Sequence, residues 1–183
     1  HMEAVGYDLY CKMLNEAVKH LKGEMEEEDY TTTIDLNIDA YIPDTYISNE
    51  YQKLDIYKRI AAIESEEEME DMVEELIDRF GDIPKKVEML LTVAQLKALA
   101  HKVYVTAVEQ KGDTYTFAMY ERAKVCPEKI PALLKEFRDD LAFKAEPPTF
   151  IYRKKRINKR DKTESALEVV KNVLIGIKGL LGN

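Results

Sequence analysis

EEEMEDMVEELIDRFGDIP, residues Glu66–Pro84, has the clearest structural pattern in the chain. Its apolar residues recur at the spacing of one helical face, which predicts an amphipathic helix that ends at Gly81. Leu76, Ile77 and Phe80 are expected to bury inward. The full apolar stripe consists of Met69, Met72, Val73, Leu76, Ile77 and Phe80. The other faces are acidic, through Glu66, Glu67, Glu68, Glu70, Asp71, Glu74, Glu75 and Asp78.

Helices are also predicted on both sides of this stretch. Ser48 or Asn49 can cap the preceding helix, because short polar side chains accept hydrogen bonds from first-turn amides. Its apolar residues are Leu54, Ile56, Tyr57, Ile60 and Ile63. Asp82 and Pro84 begin the following helix, which is apolar on most sides from Val87 to Leu99 and is therefore expected to be buried.

Strands are predicted where the apolar period changes to two. Alternation from Thr33 to Ala40 indicates a half-buried strand that ends before Pro43. Two strand pairs follow, Val103–Gln110 with Thr114–Met119 and Leu141–Ala145 with Thr149–Arg153. A short helix with Ile130, Leu133, Leu134 and Phe137 and an amphipathic C-terminal helix from about Thr163 complete the pattern. The predicted fold class is α+β, with helices packed against short antiparallel strands and hairpins.

The N-terminal segment is predicted to be a helical appendage. His1-Met2 resembles a cloning scar, and a helical pattern then runs from Tyr10 to Leu21. The acidic run Glu24–Asp29 repels itself and indicates a solvated connector. We therefore expect residues 1–29 to be scar, linker helix and connector, and residues 30–183 to form the main domain.

Composition limits the classes of function. The 183 residues are 45% hydrophobic and carry a net charge of -8, which argues against nucleic-acid binding by the whole surface. No apolar run approaches the length of a membrane span. Cys11 and Cys126 have no metal-binding spacing and fit a reducing cytoplasm, which is the expected location.

The sequence contains no recognisable catalytic, cofactor or metal motif. No glycine-rich phosphate loop is present, and Asp35–Asp39 resembles a calcium loop only at its start, since Ala40 and Tyr46 occupy required Gly and Glu positions. His20 and His101 lack metal-ligand spacing, and Cys126 before Pro127 is expected to be structural. The chain is thus predicted not to be an enzyme; an unrecognised enzyme is a remote alternative, because catalytic residues need not be close in sequence.

Two charged surfaces are candidates for binding. The acidic helix face is either a solvated surface or a docking surface that seeks Arg or Lys on a partner. The basic segment 153–162 is either a loop that balances the acidic faces or an appendage that contacts DNA or RNA. Its charged residues are Arg153, Lys154, Lys155, Arg156, Lys159, Arg160 and Lys162.

Four motifs carry a resemblance to a known family. They are Gly6–Tyr10 (GYDLY), Tyr41–Ile47 (YIPDTYI), Tyr57–Ala61 (YKRIA) and Glu75–Pro84 (ELIDRFGDIP). In this order and spacing they resemble the C-terminal end of bacterial transcription-repair coupling factors (the Mfd family). After Met119 the resemblance extends only to the pattern of elements.

The resemblance implies a role and a set of partners. The whole protein would be an ATP- and Mg-dependent translocase on DNA that displaces stalled RNA polymerase. Its C-terminal domain would dock on the N-terminal UvrB-like module and mask the surface for UvrA, which is autoinhibition. The domain itself would need no cofactor, and Gly6–Tyr10 would belong to the end of the translocation region. By matching position, the interdomain interface would use Glu75, Asp78 and Arg79.

Overall fold

The computed structural model describes Tyr10, residues 30–154 and residues 165–181. These residues fall into two compact units. The first comprises Tyr10, residues 30–31 and residues 38–98, and the second comprises residues 32–37, 99–154 and 165–181. The predicted N-terminal helix and acidic connector lie outside the described residues apart from Tyr10. The predicted boundary between residues 29 and 30 therefore stays a prediction.

The first unit is helical. It contains α1 (Glu50–Ala61), α2 (Glu66–Phe80) and most of α3 (Lys85–Lys102). Of the two caps predicted for α1, Ser48 and Asn49, the structure has Asn49, whose side chain accepts a 3.0 Å hydrogen bond from the amide of Gln52. Such a cap satisfies one of the amides that a helix start leaves without a partner.

The core of the first unit joins these helices to the segment that precedes them. The Tyr10 hydroxyl donates a 3.0 Å hydrogen bond to the carbonyl of Leu90, and the Tyr57 hydroxyl accepts one of 2.8 Å from the amide of Ile42. α3 is buried on most sides, which confirms the prediction for it. Its buried residues include Val87, Leu90, Leu91, Val93, Ala94, Leu96, Lys97 and Ala100.

Two apolar residues of the predicted stripes are exposed. Ile77 is 48% exposed and Leu54 is 38% exposed, so the prediction that Ile77 buries inward is wrong. The reason is that α2 buries a narrow stripe centred on Met72 and Leu76. Ile77 is about 100° further round the helix than Leu76 and lies at the edge of that stripe.

The second unit contains a five-stranded sheet of order β1-β2-β3-β5-β4. The strands are β1 (Thr33–Asp35), β2 (Val105–Lys111), β3 (Thr114–Met119), β4 (Leu141–Lys144) and β5 (Thr149–Arg153). Both predicted hairpins are present, with β2–β3 turning at Gly112, whose φ of 59° suits a tight turn. The α+β fold class is therefore confirmed.

The first strand differs from its prediction. It ends at Asp35, although alternate burial continues through Leu36 and Ala40, and it pairs with β2 in parallel. The sheet is thus mixed, whereas only antiparallel strands were predicted. Residues 36–104 separate the two strands, and a partner so distant in sequence leaves no mark on the local pattern.

Two helices accompany the sheet in this unit. Pro127–Lys129 forms a 3-10 turn that leads into α4 (Ile130–Glu136), and α5 spans Ala166–Lys178. Ser165 caps α5, whose first residue, Ala166, lies three residues after the predicted start at Thr163. Thr163 itself lies outside the described residues. α4 and α5 pack closely at Gly176, where an added Cβ would lie 2.6 Å from Leu133 Cδ1.

Candidate functional site

The charged residues singled out by the sequence lie on α2, whose two ends are defined by local chemistry. At its start, the Ser65 hydroxyl accepts a 3.1 Å hydrogen bond from the amide of Glu68, and the Glu68 carboxylate accepts one of 2.9 Å from the amide of Glu64. At its end, Gly81 has φ 89° and its amide donates to the carbonyl of Ile77. These contacts fix where α2 begins and where its C-terminal turn stops.

Tyr46 holds that C-terminal turn in place. Its hydroxyl lies 3.1 Å from the carbonyl oxygen of Leu76 and 2.9 Å from that of Gly81, and its ring centroid is 5.8 Å from that of Phe80. Partial burial, followed by the nearby charge of Asp82, raises the pKa of Tyr46. The phenol therefore stays protonated and available as a donor to these carbonyls.

Glu75 is the centre of an ion-pair cluster that joins α1 to α2. Its carboxylate accepts hydrogen bonds from both terminal nitrogens of Arg59, with 2.7 Å between Arg59 Nη2 and Glu75 Oε1. Arg79 Nη1 donates to the same carboxylate at 2.9 Å. We call Arg59, Glu75 and Arg79 the Glu75 cluster. Its three side chains are partly exposed, so the cluster lies at the surface.

The cluster keeps Glu75 charged. The hydrogen bonds from Arg59, and then those from Arg79, lower the pKa of Glu75 to about 2 against an ordinary value of 4.5. The bond to Glu75 in turn raises the pKa of Arg59. Two-pronged guanidinium–carboxylate contacts also fix orientation, because both groups are planar. The cluster thus presents a fixed pattern of charge over a wide range of pH.

Of the three residues predicted for the interface, two form an ion pair with each other and the third does not join them. The structure brings Glu75 and Arg79 together as an i, i+4 ion pair, and Arg79 also lies over the ring of Phe80 at 4.8 Å. Asp78 is exposed on the same helical face, one turn from Glu75. Within the part of the chain that the structure describes, Asp78 forms no ion pair with the cluster.

Arg59 is a member of the cluster that is not among the residues predicted from the sequence. It lies sixteen residues before Glu75, on a different helix. The available signal was its place in the motif Tyr57–Ala61 and its exposure between the buried residues Tyr57 and Ile60. Helical periodicity predicts such exposure but does not pair a residue with a neighbouring helix.

The remaining residues considered as metal or catalytic candidates, Asp35, Asp39, His101 and Cys126, lie in or contact elements of the fold. Asp35 lies in β1 and Asp39 forms a 2.8 Å ion pair with Lys86. In the described ranges, no group of three or more His, Cys, Asp or Glu is arranged to hold a metal ion. The Thr32 hydroxyl lies 2.7 Å from the carbonyl oxygen of Val105 and 3.0 Å from Nδ1 of His101, which joins β1, β2 and the end of α3. Cys126 donates its amide to the carbonyl of Leu180 at 2.9 Å.

Only the start of the basic segment 153–162 can be placed, since residues 155–162 lie outside the described residues. Arg153 and Lys154 line an open hollow of about 620 Å³ together with three aspartates, Asp113, Asp139 and Asp140. These carboxylates offset the two positive charges at this end of the segment. Nucleic-acid contact by the segment stays a prediction.

None of the helices in the described ranges is both long enough and apolar enough to cross a membrane.

The sequence and the fold are similar to those of known proteins. The family model of the TRCF domain matches residues 36–130. The transcription-repair-coupling factor of Bacillus subtilis (strain 168) is 36% identical over 182 residues, which are 98% of this chain and 15% of that protein.

A second relative and a solved structure belong to the same family. The transcription-repair-coupling factor of Staphylococcus haemolyticus (strain JCSC1435) is 41% identical over 124 residues, 67% of this chain and 11% of that protein. A crystal structure of the C-terminal domain of transcription-repair coupling factor superposes with a TM-score of 0.59 and 28% identity, covering 82% of this chain and 92% of that one. The chain therefore spans 15% or less of the length of these two curated relatives.

The chain has a helical unit and a mixed-sheet unit, and the family match extends across residues of both. These features define the class of protein as a TRCF domain. The chain belongs to the transcription-repair coupling factor family, in which it corresponds to the C-terminal domain.

Proposed function

We propose that this domain regulates a transcription-repair coupling factor by docking on the N-terminal, UvrB-like repair module of the same protein. The docked domain masks the module's surface for UvrA and so keeps the resting factor autoinhibited. RNA polymerase, DNA, ATP and Mg are handled by the rest of the protein. The domain acts without a cofactor or catalysis of its own, in the bacterial cytoplasm where the DNA is.

The observation that carries this proposal is the organisation of the Glu75 cluster. Glu75, Asp78 and Arg79 offer charge of both signs on one exposed face, and Arg59 and Tyr46 hold that face in a fixed geometry. A rigid mixed-charge surface favours one partner and one orientation, because unlike charges attract and misplaced like charges repel. Family membership makes the repair module the candidate partner.

The strength of such a contact suits a domain that must be released. Ion pairs at the exposed rim of an interface contribute little individually, typically about 0–1 kcal/mol each. A two-state switch needs a preference of only a few kcal/mol between docked and released forms. Tethering in one chain raises the effective concentration of the two surfaces, so weak pairs are enough to close the contact.

The test is a binding titration of this chain against the separate repair module by calorimetry. Glu75→Ala, Asp78→Ala and Arg79→Ala are expected to weaken binding, each by several-fold. Glu70→Ala is the matched control, since Glu70 is an exposed glutamate about 140° round α2 from Glu75. If all three variants bind as well as the unmodified chain, the assigned surface is wrong.

A second arm addresses weak affinity and the masking role. The two parts are joined by a flexible linker, and UvrA binding to the module is measured with and without the attached domain. Masking predicts that the attached domain weakens UvrA binding and that the three variants restore it. Unchanged UvrA binding with the unmodified domain attached contradicts autoinhibition.

A further inference from the structure

Tyr51 is the most exposed large hydrophobic side chain in the described part of the chain, at 86%. It occupies the first turn of α1, two residues after the N-cap Asn49. Aromatic residues have lower helix propensity than Glu, Lys or Ala, so an exposed Tyr does not help the helix form. Leu54, 38% exposed, lies one turn further along the same helix.

Tyr51 and Leu54 lie next to residues of α1 that contact the Glu75 cluster. Asp55 follows Leu54 and lies 3.9 Å from Arg59, which is one turn further along α1. Arg59 then contacts Glu75, and Glu75 contacts Arg79. Tyr51, Asp55 and Arg59 follow one another about 40° apart round α1, so the side of α1 that carries Tyr51 is continuous with the cluster on α2. Leu54 flanks Tyr51 about 60° away on its other side.

We propose that Tyr51 and Leu54 form the apolar part of the docking surface, which we call the Tyr51 patch. The partner surface is then basic and carries an apolar pocket that receives the Tyr51 ring. This inference rests on the proposed function and identifies the contact that supplies most of its affinity. Tyr buries a large area at small entropic cost and is enriched among the residues that dominate binding energy.

The charge around the Tyr51 patch indicates which kind of partner can bind there. Exposed or partly exposed acidic side chains outnumber the basic ones on this face of α1 and α2. They are Asp55, Asp71, Glu74, Glu75 and Asp78 against Lys58, Arg59 and Arg79. Phosphates of a nucleic acid would be repelled by this face. A second copy of this chain, with net charge -8, would bring acid to acid, whereas a basic protein surface would be attracted.

The test measures the affinity of this chain for the separate repair module in four variants. Tyr51→Ala is expected to raise the Kd at least about tenfold, and Leu54→Ala severalfold. Tyr51→Phe is expected to keep most of the affinity, because the ring still fills the pocket. Ile77→Ala is the control: it removes a 48% exposed aliphatic side chain that is about 160° round α2 from Glu75.

The outcomes separate this inference from the proposed function. A loss with Tyr51→Ala and none with Ile77→Ala supports the Tyr51 patch. An unchanged Kd for Tyr51→Ala, with weakened binding in the Glu75 and Arg79 variants, overturns the patch and leaves the proposed function standing. If hydrogen exchange shows no protection of α1 even when module and chain are joined by a linker, both are overturned. Because Tyr51 is exposed and Ala favours a helix more than Tyr does, Tyr51→Ala should not lower the free energy of unfolding, which checks folding.

Discussion

Arg59 of α1 and Glu75 of α2 lie sixteen residues apart in sequence and meet in a two-pronged ion pair that links the two helices. Glu75 is also the partner of Arg79, so one carboxylate receives two guanidinium groups. Because the Glu75 carboxylate accepts three hydrogen bonds from these two groups, its side chain is held in one rotamer. Arg79 is held over the ring of Phe80. The proposed docking face is therefore organised by a residue outside the three that the family resemblance selects.

The first prediction concerns stability and binding after removal of Arg59. Arg59→Met keeps the unbranched apolar stem of the side chain but removes the guanidinium group and with it both contacts to Glu75. We expect a loss of about 0.5–1 kcal/mol in the free energy of unfolding, since a partly exposed pair is screened by water. Affinity for the repair module should fall as well, because Glu75 is then free to move. Denaturant unfolding and calorimetry measure the two effects.

The matched control is Lys171→Met, which makes the same change of charge at an exposed position of α5 that is not part of the proposed docking face. Arg59→Met and Lys171→Met variants with equal affinity for the repair module would show that Arg59 does not organise the docking face.

The second prediction concerns pH. The pKa of Glu75 is about 2, below its ordinary 4.5, so its ionised form is favoured in the folded chain. The stabilisation is complete above about pH 4.5 and is lost as the pH falls through about 2. In Arg59→Met, the pKa of Glu75 should rise towards 4.5, because the largest cause of the depression has gone.

The measurement is a carboxyl chemical-shift titration by NMR, with Glu75→Gln used to assign the signal. Equal midpoints for Glu75 in the unmodified chain and in Arg59→Met would show that Arg59 does not hold this carboxylate in solution.

Local patterns predicted most of the elements. α2 and α3 have long apolar periodicities with Gly81 and Pro84 between them, and both hairpins have clear turn residues. The parallel pairing of β1 with β2 could not be predicted, because the two strands are distant in sequence and the ladder depends on the tertiary fold. Periodicity predicts that Ile77 is buried, because it locates an apolar stripe without giving the width of that stripe, and Ile77 is in fact 48% exposed.

The candidate site was predictable in part for a similar reason. Glu75 and Arg79 lie on one helix, where i, i+4 spacing makes them neighbours. Arg59 and Tyr46 reach the same place from other segments, and helical spacing gives no such contact. Tyr51 occupies a position on the exposed side of α1, and its exposure became evident only once the packing of that helix was known.

The third prediction concerns the hydroxyl of Tyr46. Tyr46→Phe keeps the ring beside Phe80 but removes the contacts to the carbonyls of Leu76 and Gly81. We expect a loss of about 1 kcal/mol in the free energy of unfolding, the usual net value of a hydrogen bond. The amide of Gly81 should exchange faster with solvent, because the last turn of α2 loosens. Tyr51→Phe is the control, since it removes a hydroxyl from a ring that is exposed, and equal effects of the two variants would contradict the role of Tyr46.

The fourth prediction concerns the close approach of α4 and α5. Gly176→Ala places a Cβ 2.6 Å from Leu133 Cδ1 and 3.3 Å from Phe137 Cε2, so Leu133 must move. Overpacking of this kind costs about 1–3 kcal/mol, against a gain of up to about 1 kcal/mol from replacing Gly within a helix. We therefore expect net destabilisation, measured by denaturant unfolding.

The decisive comparison for this contact repeats Gly176→Ala in a Leu133→Ala background. Leu133→Ala on its own should destabilise the second unit, because it leaves a cavity beside α5. With the Leu133 side chain removed, the new methyl group has room, and the same Gly176→Ala change should become neutral or stabilising. The two substitutions are thus expected to be strongly non-additive, as contacting residues are. An equal cost of Gly176→Ala in both backgrounds would mean that Leu133 does not limit the approach of the two helices.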